Sequence, residues 1–442
     1  ASAARLDAPR GRPRVDTSFF QEHTDGLLCI AGAPEGQISD ALWRDDQSAA
    51  REALGQLKDL FGIHLAMEVM DHGLNEEIVM TERAILLAQN LDIPWVVTNH
   101  VYYARSEDRM VHDVLTCLKL GVTLDEAGSR LRPNAEWYLK SPTQMAHRWR
   151  HLPEGLSTSV ALAERCGFRL HHLNASLPSV KIPEGFSDPD GYLAHLTYSG
   201  ARQRWGHGLD RWHQNQLKKE LALIRRRGLA GYFLIMWEII AFAAKAKILV
   251  QGRGSAANSA VCYCLGITAV DPIRHDLLFE RFLSDEREGY PDIDLDIEHS
   301  RREEVIQFVY EHYGRGHAAM VCAHHCFRGR GAVRDTGRVL GVSVQDCDRL
   351  AEAVQQHGIL TAEAMEAQGF SLEERRMRAL LDVTRGLWGL PRHRATHTGG
   401  FVLTTRPIAE ITAVEPAGME GRTIIQWDKD DLDLMRIPKF DL

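Results

Sequence analysis

Apolar residues of this chain recur with two periods, and these periods predict where helices and strands lie. In the first third of the chain they predict four elements, helices and strands in alternation: 49–60, 63–69, 77–90 and 93–98. Such alternation indicates an α/β domain. The pattern of 106–180 is mostly helical, and the prolines of 177–190 predict a linker.

The pattern changes after Arg211. Helical spacing predicts further helices at 216–227, 232–246, 256–265 and 301–313, and within 345–390. Apolar runs and period-two alternation predict strands at 248–250, 292–297, 401–404, 423–426 and 437–442. The expected fold class is therefore α/β and α+β, with several domains.

Composition narrows the class of protein. A chain of 442 residues is long enough for about two to four domains, and 44% hydrophobic with 25% charged residues is typical of a soluble globular protein. No apolar run reaches the roughly 20 residues that span a bilayer, so no membrane partner is expected. The eight cysteines include no Cys-x-x-Cys pair, which favours reduced thiols and a cytoplasmic location. A net charge of −8 still permits a local basic stripe that binds nucleic acid.

The strongest chemical signal is the acidic stretch 291–297, Pro-Asp-Ile-Asp-Leu-Asp-Ile. Alternate side chains of a strand share a face, so Asp292, Asp294 and Asp296 would lie on one side, about 6.5–7 Å apart. Two such carboxylates can reach a pair of metal ions roughly 3.5–4 Å apart, and Mg²⁺ prefers oxygen ligands of this kind. The alternative is an ordinary polar strand face that is exposed to water.

A glycine-rich turn at 251–259 is a second, weaker signal. Gly254 permits close backbone approach, and Ser255 could cap the helix predicted to follow. Free N–H groups at a helix start attract phosphate. An ordinary loop-to-helix turn has the same pattern.

Basic residues lie on both sides of the acidic stretch. Arg281 and Arg287 could bind a triphosphate, because guanidinium groups match phosphate oxygens; a surface helix with salt bridges is the alternative. Near the end of the chain, alternation places Lys439 and Asp441 on one strand face, although a lone aspartate means little by itself. The glycine-rich turn, the two arginines and the acidic strand together suggest a two-metal site for phosphoryl transfer.

Three longer stretches contain most of these residues: Gln251-Gly-Arg-Gly-Ser-Ala-Ala-Asn-Ser259, Leu277-Leu-Phe-Glu-Arg-Phe-Leu283 and Pro291-Asp-Ile-Asp-Leu-Asp296. As a set they resemble the palm of bacterial C-family DNA polymerases. The Ala-Ala-Asn-Ser and Val-Cys-Tyr-Cys sequences, with 391–393, 397–401 and 426–431, are similar to the error-prone paralogue of damage-induced mutagenesis rather than to the replicative alpha subunit of DNA polymerase III. The resemblance covers roughly 25–442.

This resemblance implies a partial PHP-type (polymerase and histidinol phosphatase) α/β domain, followed by a DNA polymerase beta-like nucleotidyltransferase palm with an inserted helical thumb. The implied boundaries are 1–105 for the partial PHP-type domain, 106–190 for its helical remainder and a linker, 191–325 for the palm, 326–395 for the thumb and 396–442 for the palm continuation. The chain is expected to be truncated at both ends.

The implied function is template-directed DNA synthesis from deoxynucleoside triphosphates, of the error-prone type. The residues implied to hold two Mg²⁺ ions, for which Mn²⁺ can substitute, and to act in catalysis are Asp292, Asp294 and Asp441. Those implied to bind the nucleotide are Gly254, Ser255, Arg281, Arg287 and Lys439. Expected partners are primer–template DNA and deoxynucleoside triphosphates, with a sliding clamp and accessory mutagenesis proteins bound through regions absent from this chain.

The sequence departs from the family in the PHP-type region. Tyr102 stands where a metal-binding histidine is expected, and a tyrosine cannot replace a neutral imidazole. Glu68 and His72 leave too few ligands, so this region is expected to be a scaffold.

Two further departures lie downstream. A zinc site made of Cys322, His324, His325 and Cys326 is conceivable, although the spacing is poor. Pro438 is expected to remove a ladder hydrogen bond from the strand that presents Asp441.

Three alternatives to an error-prone polymerase stay open at this point. One is the replicative alpha subunit, which has the same chemistry. Another is a catalytically inactive module that docks mutagenesis partners. The last is a stand-alone PHP phosphoesterase that acts through Glu68 and His72.

Overall fold

The strands that the structure describes pair into two sheets. The structure is a computed structural model and describes every residue except 10, 171–172, 174–175, 207, 285–289 and 355–357. Its strands are β1 (Cys29–Ala31), β2 (Leu65–Val69), β3 (Trp95–Val97), β4 (Val250–Arg253), β5 (Asp294–Ile297), β6 (Ala318–Cys326), β7 (Pro391–Leu403), β8 (Val414–Pro416), β9 (Thr423–Ile425) and β10 (Lys439–Asp441). One sheet has the order β1-β2-β3, and the other has the order β4-β5-β10-β7-β6-β9-β8.

Helices occupy most of the remaining described chain. They are α1 (Ser2–Leu6), α2 (Gln37–Trp43), α3 (Gln47–Phe61), α4 (Asn75–Asn90), α5 (Arg109–Leu120), α6 (Leu124–Ala127), α7 (Pro142–Arg148), α8 (Glu154–Arg165), α9 (Pro189–Trp205), α10 (Arg211–Arg226), α11 (Ala230–Ala246), α12 (Ala260–Cys264), α13 (Arg302–Tyr313), α14 (Gly329–Val339), α15 (Val344–Ala353), α16 (Ala362–Ala367), α17 (Arg375–Leu387) and α18 (Lys429–Leu434). In the part of the chain that the structure describes, no single helix is long and apolar enough to cross a membrane; the pair α10 and α11, bent by 115°, passes that test only when the two are joined.

The chain divides into two units, which we call the first and the second unit. The first unit comprises 1–15, 169–325 and 393–442, and the second comprises 16–168 and 326–392. Each unit mixes helices with strands, so the predicted α/β and α+β multidomain class is confirmed.

Most predicted elements are present, with shifted ends. The predicted helices 49–60, 77–90, 216–227, 232–246 and 301–313 correspond to α3, α4, α10, α11 and α13. The predicted strands 63–69, 93–98, 292–297, 423–426 and 437–442 correspond to β2, β3, β5, β9 and β10. The strand predicted at 401–404 is only the end of the much longer β7, and the one predicted at 248–250 begins later, as β4.

The second unit covers both faces of its small parallel sheet. All of β2 except Glu68 is buried, as is all of β3, which is the pattern of a parallel strand that helices cover. Helix α3 begins where the Asp46 side chain accepts a hydrogen bond from the Ala49 N–H. Helix α8 approaches β3 so closely at Gly155 that a Cβ there would collide with the Trp95 ring.

In the first unit, the apolar helix α11 packs against the large sheet. Its Tyr232 and Phe233 are fully buried, and the Tyr232 ring lies on the Phe440 ring of β10, with centroids 5.0 Å apart and planes inclined by 25°. A fully buried aromatic side chain contributes about 2–3 kcal/mol, so this contact anchors the short strand β10. Pro438 precedes β10 rather than lying in it. The predicted loss of a ladder hydrogen bond is therefore wrong, because a proline at the entry to a strand has no ladder partner to lose.

A buried carboxylate organises the start of α12. Glu220 of α10 has no exposed surface, and it accepts hydrogen bonds from the Ala260 N–H (2.9 Å), the Val261 N–H (3.0 Å) and the Ser259 hydroxyl (2.7 Å). Burial raises the pKa of Glu220, and these donors offset part of that cost. Glu220 thus holds the backbone that directly follows the glycine-rich turn.

Candidate catalytic site

Three carboxylates of the first unit converge at the junction of β5 and β10. Asp292, Asp294 and Asp441 each offer one ligand oxygen, and these oxygens lie within 4.8 Å of one another. The sheet register explains this convergence: β10 runs parallel to β5 with Asp441 opposite Asp294, and antiparallel to β7 with Asp441 opposite Gly400. Asp292 lies just before β5 begins. The convergence therefore depends on β10 being inserted between β5 and β7.

The negative charges of these three carboxylates repel one another. Burial, reinforced by the neighbouring Asp441 and Asp292 carboxylates and opposed by Arg253, raises the pKa of Asp294 to about 6. Asp441 Oδ2 accepts a hydrogen bond from Lys439 Nζ at 2.7 Å. Burial alone would lower the pKa of Lys439, but the hydrogen bond and charge of Asp441 outweigh it and raise that pKa. Asp441 Oδ1 is buried without a hydrogen-bond partner among the described residues. A divalent cation would relieve the repulsion and satisfy this oxygen.

Asp296 is not part of this group; alternation predicted only that it shares a strand face with Asp292 and Asp294. In β4, Arg253 stands opposite Asp294 in antiparallel register. Its guanidinium lies 3.2 Å from Asp294 Oδ2 and donates a hydrogen bond of 2.9 Å to Asp296 Oδ1. Asp294 and Asp296 therefore share the positive charge of Arg253. Sequence reasoning assigned no role to Arg253, although its position directly before Gly254 in the glycine-rich turn was a signal.

The glycine-rich turn lies beside the carboxylates. Gly254 has a φ of +69°, and a Cβ built there would lie 4.0 Å from Asp294 Oδ2. Ser255 donates a hydrogen bond of 3.3 Å to the Asp292 carbonyl. The prediction that Ser255 caps the next helix is wrong: residues 254–258 form a separate 3₁₀ turn, and Ser259 caps α12 through the Cys262 N–H at 3.1 Å.

The predicted arginines are not brought to the carboxylates by any described contact. Arg281 is exposed at the end of a 3₁₀ turn, Phe279–Arg281. Within the described ranges, no hydrogen bond or ion pair joins its side chain to the acidic group. Arg287 falls outside the described residues.

A cleft of about 280 Å³ opens on the acidic group, and its lining includes two residues that sequence reasoning did not single out, His397 and Arg302. His397 Nδ1 accepts hydrogen bonds from the Gly400 N–H (2.7 Å) and the Gly399 N–H (3.2 Å), so the proton of a neutral ring lies on Nε2. Burial lowers the pKa of His397, against the pull of Asp441 3.9 Å away. Arg302 donates to the Leu442 carbonyl at 2.6 and 3.0 Å and thereby fixes the end of β10.

In the second unit, the PHP-type residues are engaged in structural contacts. His72 is fully buried, with Nδ1 2.6 Å from Glu77 Oε1 and Nε2 3.0 Å from the Asn99 carbonyl. Both ring nitrogens therefore face hydrogen-bond acceptors of the protein itself. The Glu68 carboxylate accepts a hydrogen bond of 2.6 Å from the Thr98 hydroxyl.

Comparison with known proteins supplies the family. A family model described as the bacterial DNA polymerase III alpha NTPase domain matches residues 191–442, and a PHP domain model matches residues 1–72. Curated relatives named error-prone DNA polymerase include one from Anaeromyxobacter dehalogenans, which is 39% identical over 88% of this chain and 41% of the relative. The relative from Pseudomonas savastanoi pv. phaseolicola is 39% identical over 100% of this chain and 42% of its own length. The relative from Bdellovibrio bacteriovorus is 37% identical over 99% of this chain and 40% of its own length. This chain spans about two fifths of the length of these relatives. Because the first model covers more than half of the chain, and the relatives agree with the resemblance seen in the sequence, the chain belongs to the bacterial DNA polymerase III alpha family, the C family of DNA polymerases.

Proposed function

We propose that this chain provides the nucleotidyl-transfer site of an error-prone DNA polymerase, which extends a DNA primer with deoxynucleoside triphosphates under the direction of a template. The observation that carries the proposal is the convergence of Asp292, Asp294 and Asp441. Their oxygen donors, including the unpartnered Asp441 Oδ1, fit Mg²⁺ or Mn²⁺. Asp292, Asp294 and Asp441 would hold a pair of such ions, whose chemistry would be to activate the primer hydroxyl and to stabilise the charge of the departing pyrophosphate.

The neighbouring residues would bind and orient the nucleotide. Gly254 has no side chain to block a phosphate from the backbone, and Ser255 is tied to the acidic segment. Lys439 already lies against Asp441 and would add positive charge toward the triphosphate. Arg281 is exposed and free to turn toward a bound nucleotide, and we assign the same role to Arg287.

The domain arrangement is part of the proposal. Residues 191–325 and 396–442 would form the palm, 326–395 the thumb, 1–105 the partial PHP-type domain and 106–190 its helical remainder with a linker. Primer–template DNA and deoxynucleoside triphosphates would be the substrates. A sliding clamp and accessory mutagenesis proteins would bind elsewhere in the polymerase, in the cytoplasm. The names of the curated relatives favour the error-prone type over the replicative alpha subunit.

Primer extension with Mg²⁺ tests the proposal, measured on the chain extended to the length of its relatives. Asp294→Asn and Asp441→Asn should each reduce extension by at least about a hundredfold, because each removes a ligand from charge stabilisation worth several kcal/mol. Asp296→Asn is the matched control, since Asp296 lies on the same strand, outside the acidic group. It should retain extension within about threefold.

Two outcomes would overturn the proposal. Extension that persists in Asp294→Asn and Asp441→Asn would place the catalytic carboxylates elsewhere. A folded wild-type protein that does not extend a primer would favour the catalytically inactive docking module.

A further inference from the structure

A second group of ligand-type side chains lies on the large sheet, apart from the acidic group. His324 of β6 and the two aspartates Asp428 and Asp431 at the start of α18 place their ligand atoms within 4.8 Å of one another. His324 Nδ1 lies 3.3 Å from Asp428 Oδ2. This group belongs to the first unit, and the nucleotidyl-transfer proposal does not use it.

The helix cap of α18 holds both carboxylates in place and leaves one oxygen of each available. Asp428 Oδ1 accepts hydrogen bonds from the Asp430 N–H (3.0 Å) and the Asp431 N–H (3.2 Å). Asp431 Oδ2 accepts one from the Asp428 N–H at 3.2 Å. Asp428 Oδ2 and Asp431 Oδ1 make none of these cap bonds, so each aspartate has an oxygen free to bind a cation. Carboxylates whose other oxygen is hydrogen-bonded are typical metal ligands.

A buried thiol gives independent support. Cys322 is 1% exposed, and alternation along β6 places it on the same face as His324. Its Sγ lies 3.5 Å from His324 Nε2, which is its one hydrogen-bond contact among the described side chains. Histidines that bind metal through one nitrogen usually donate the other N–H to a nearby acceptor. The thiol occupies that position. In the tautomer whose Nε2–H donates to the thiol, the lone pair of Nδ1 is directed at the aspartates.

The zinc set considered from the sequence is wrong as a set. His325 lies on the opposite face of β6, where its ring stacks on His393 with centroids 4.9 Å apart. Neither His325 nor Cys326 belongs to a metal-type group in the described ranges. Only His324 of the four is in such a group, because tertiary structure adds the two aspartates.

We propose that His324, Asp428 and Asp431 bind one divalent cation of the Zn²⁺ class, with Cys322 as the positioning residue behind the imidazole. One imidazole nitrogen with two carboxylate oxygens favours Zn²⁺ over Mg²⁺. Ligand atoms of a tetrahedral zinc centre lie about 3.4 Å apart, close to the 3.3 Å between His324 Nδ1 and Asp428 Oδ2. The ligand atoms of the three residues lie within 4.8 Å of one another. Because His324 is exposed, its side chain can move to bring them to the spacing of a zinc centre. The cation would join β6 to α18, the helix that leads into β10.

The test measures Zn²⁺ bound per chain by equilibrium dialysis and metal analysis of the full chain. The chain carries Asp294→Asn, so that the acidic group of Asp292, Asp294 and Asp441 competes less for Zn²⁺. One Zn²⁺ should bind per chain and raise the melting temperature. His324→Gln and Asp431→Asn should each weaken binding at least about a hundredfold, and Cys322→Ala about tenfold. His325→Gln is the matched control, because it removes a neighbouring histidine from the other face and should leave binding unchanged.

Absence of stoichiometric Zn²⁺ binding by the folded chain would overturn the site. So would binding that survives His324→Gln or that falls equally in His325→Gln. In each of these three cases the group would be a His324–Asp428 ion pair beside a helix cap. These results do not depend on primer extension, so the two proposals can fail separately.

Discussion

Replacing Asp294 by Asn should stabilise the chain when no divalent cation is present. Burial and the neighbouring Asp441 and Asp292 raise the pKa of Asp294 from 3.8 to about 6. Near neutral pH the folded chain therefore holds an ionised carboxylate among like charges. Asn has nearly the same shape and no charge, so it removes this repulsion without opening a cavity.

The size of this stabilisation and its pH dependence follow from the raised pKa of Asp294. A change from 3.8 to about 6 corresponds to about 3 kcal/mol at about 1.4 kcal/mol per pKa unit. The Asp294 side chain is 21% exposed, and the variant also loses the 3.2 Å ion pair with Arg253, so we expect a net gain of about 1–2 kcal/mol. Because the pKa is higher in the folded state, the folded chain binds more protons, and wild-type stability falls as pH rises between 3.8 and about 6. The stability that Asp294→Asn gains is therefore absent below pH 3.8 and complete above about pH 6.

Urea unfolding in EDTA at about pH 7.5 and about pH 4 measures this effect. Adding Mg²⁺ at the higher pH should stabilise the wild type and have little effect on Asp294→Asn, which lacks one ligand. Asp296→Asn is the control, because its 64% exposed carboxylate pairs with Arg253 outside the acidic group, and it should change stability by less than about 0.5 kcal/mol. A variant Asp294→Asn that is less stable than wild type in EDTA at about pH 7.5, or whose gain is the same at both pH values, would refute the electrostatic reasoning.

Three further outcomes follow from the structure. Mg²⁺ binding measured by calorimetry should weaken as pH falls through about 6, because Asp294 then takes up a proton. Glu220→Ala leaves three buried donors without an acceptor and should lower the free energy of unfolding by about 3 kcal/mol or more in a urea titration. Gly200→Ala places a Cβ against the Cys264 carbonyl and should destabilise by about 1–3 kcal/mol; in the same melting experiment Gly55→Ala, in the open interior of α3, should stabilise by about 0.5–1 kcal/mol.

Sequence periodicity predicts the long helices well and their ends less well. The predicted helix 232–246 is α11 (Ala230–Ala246) almost unchanged, because its apolar character is continuous. Helix α10 begins earlier than predicted, at Arg211, because the Asp210 side chain caps it through the His213 N–H at 2.9 Å. The sequence could have predicted this cap, because aspartate is a preferred residue at the N-terminus of a helix. Helix α12 is shorter than predicted because Glu220 and Ser259 set its start, and pairing between distant residues is not visible in a local pattern.

The candidate site shows where alternation along a strand stops being informative. Alternation gives the strand face of a side chain and not its partner, so it placed three aspartates on one face without showing which of them could bind a metal. In the structure, Arg253 on the adjacent strand contacts both Asp294 and Asp296, and Asp292 and Asp294 join Asp441 in the acidic group. The third carboxylate, Asp441, arrives only because β10 inserts beside β5, and the register that aligns it with Asp294 depends on strands far apart in the chain. Family resemblance supplied Asp441 where periodicity could not. The resemblance covered His397 within 397–401 but gave it no role. Two glycine N–H groups of β7 orient its neutral ring, and periodicity does not reveal a hydrogen bond of that kind.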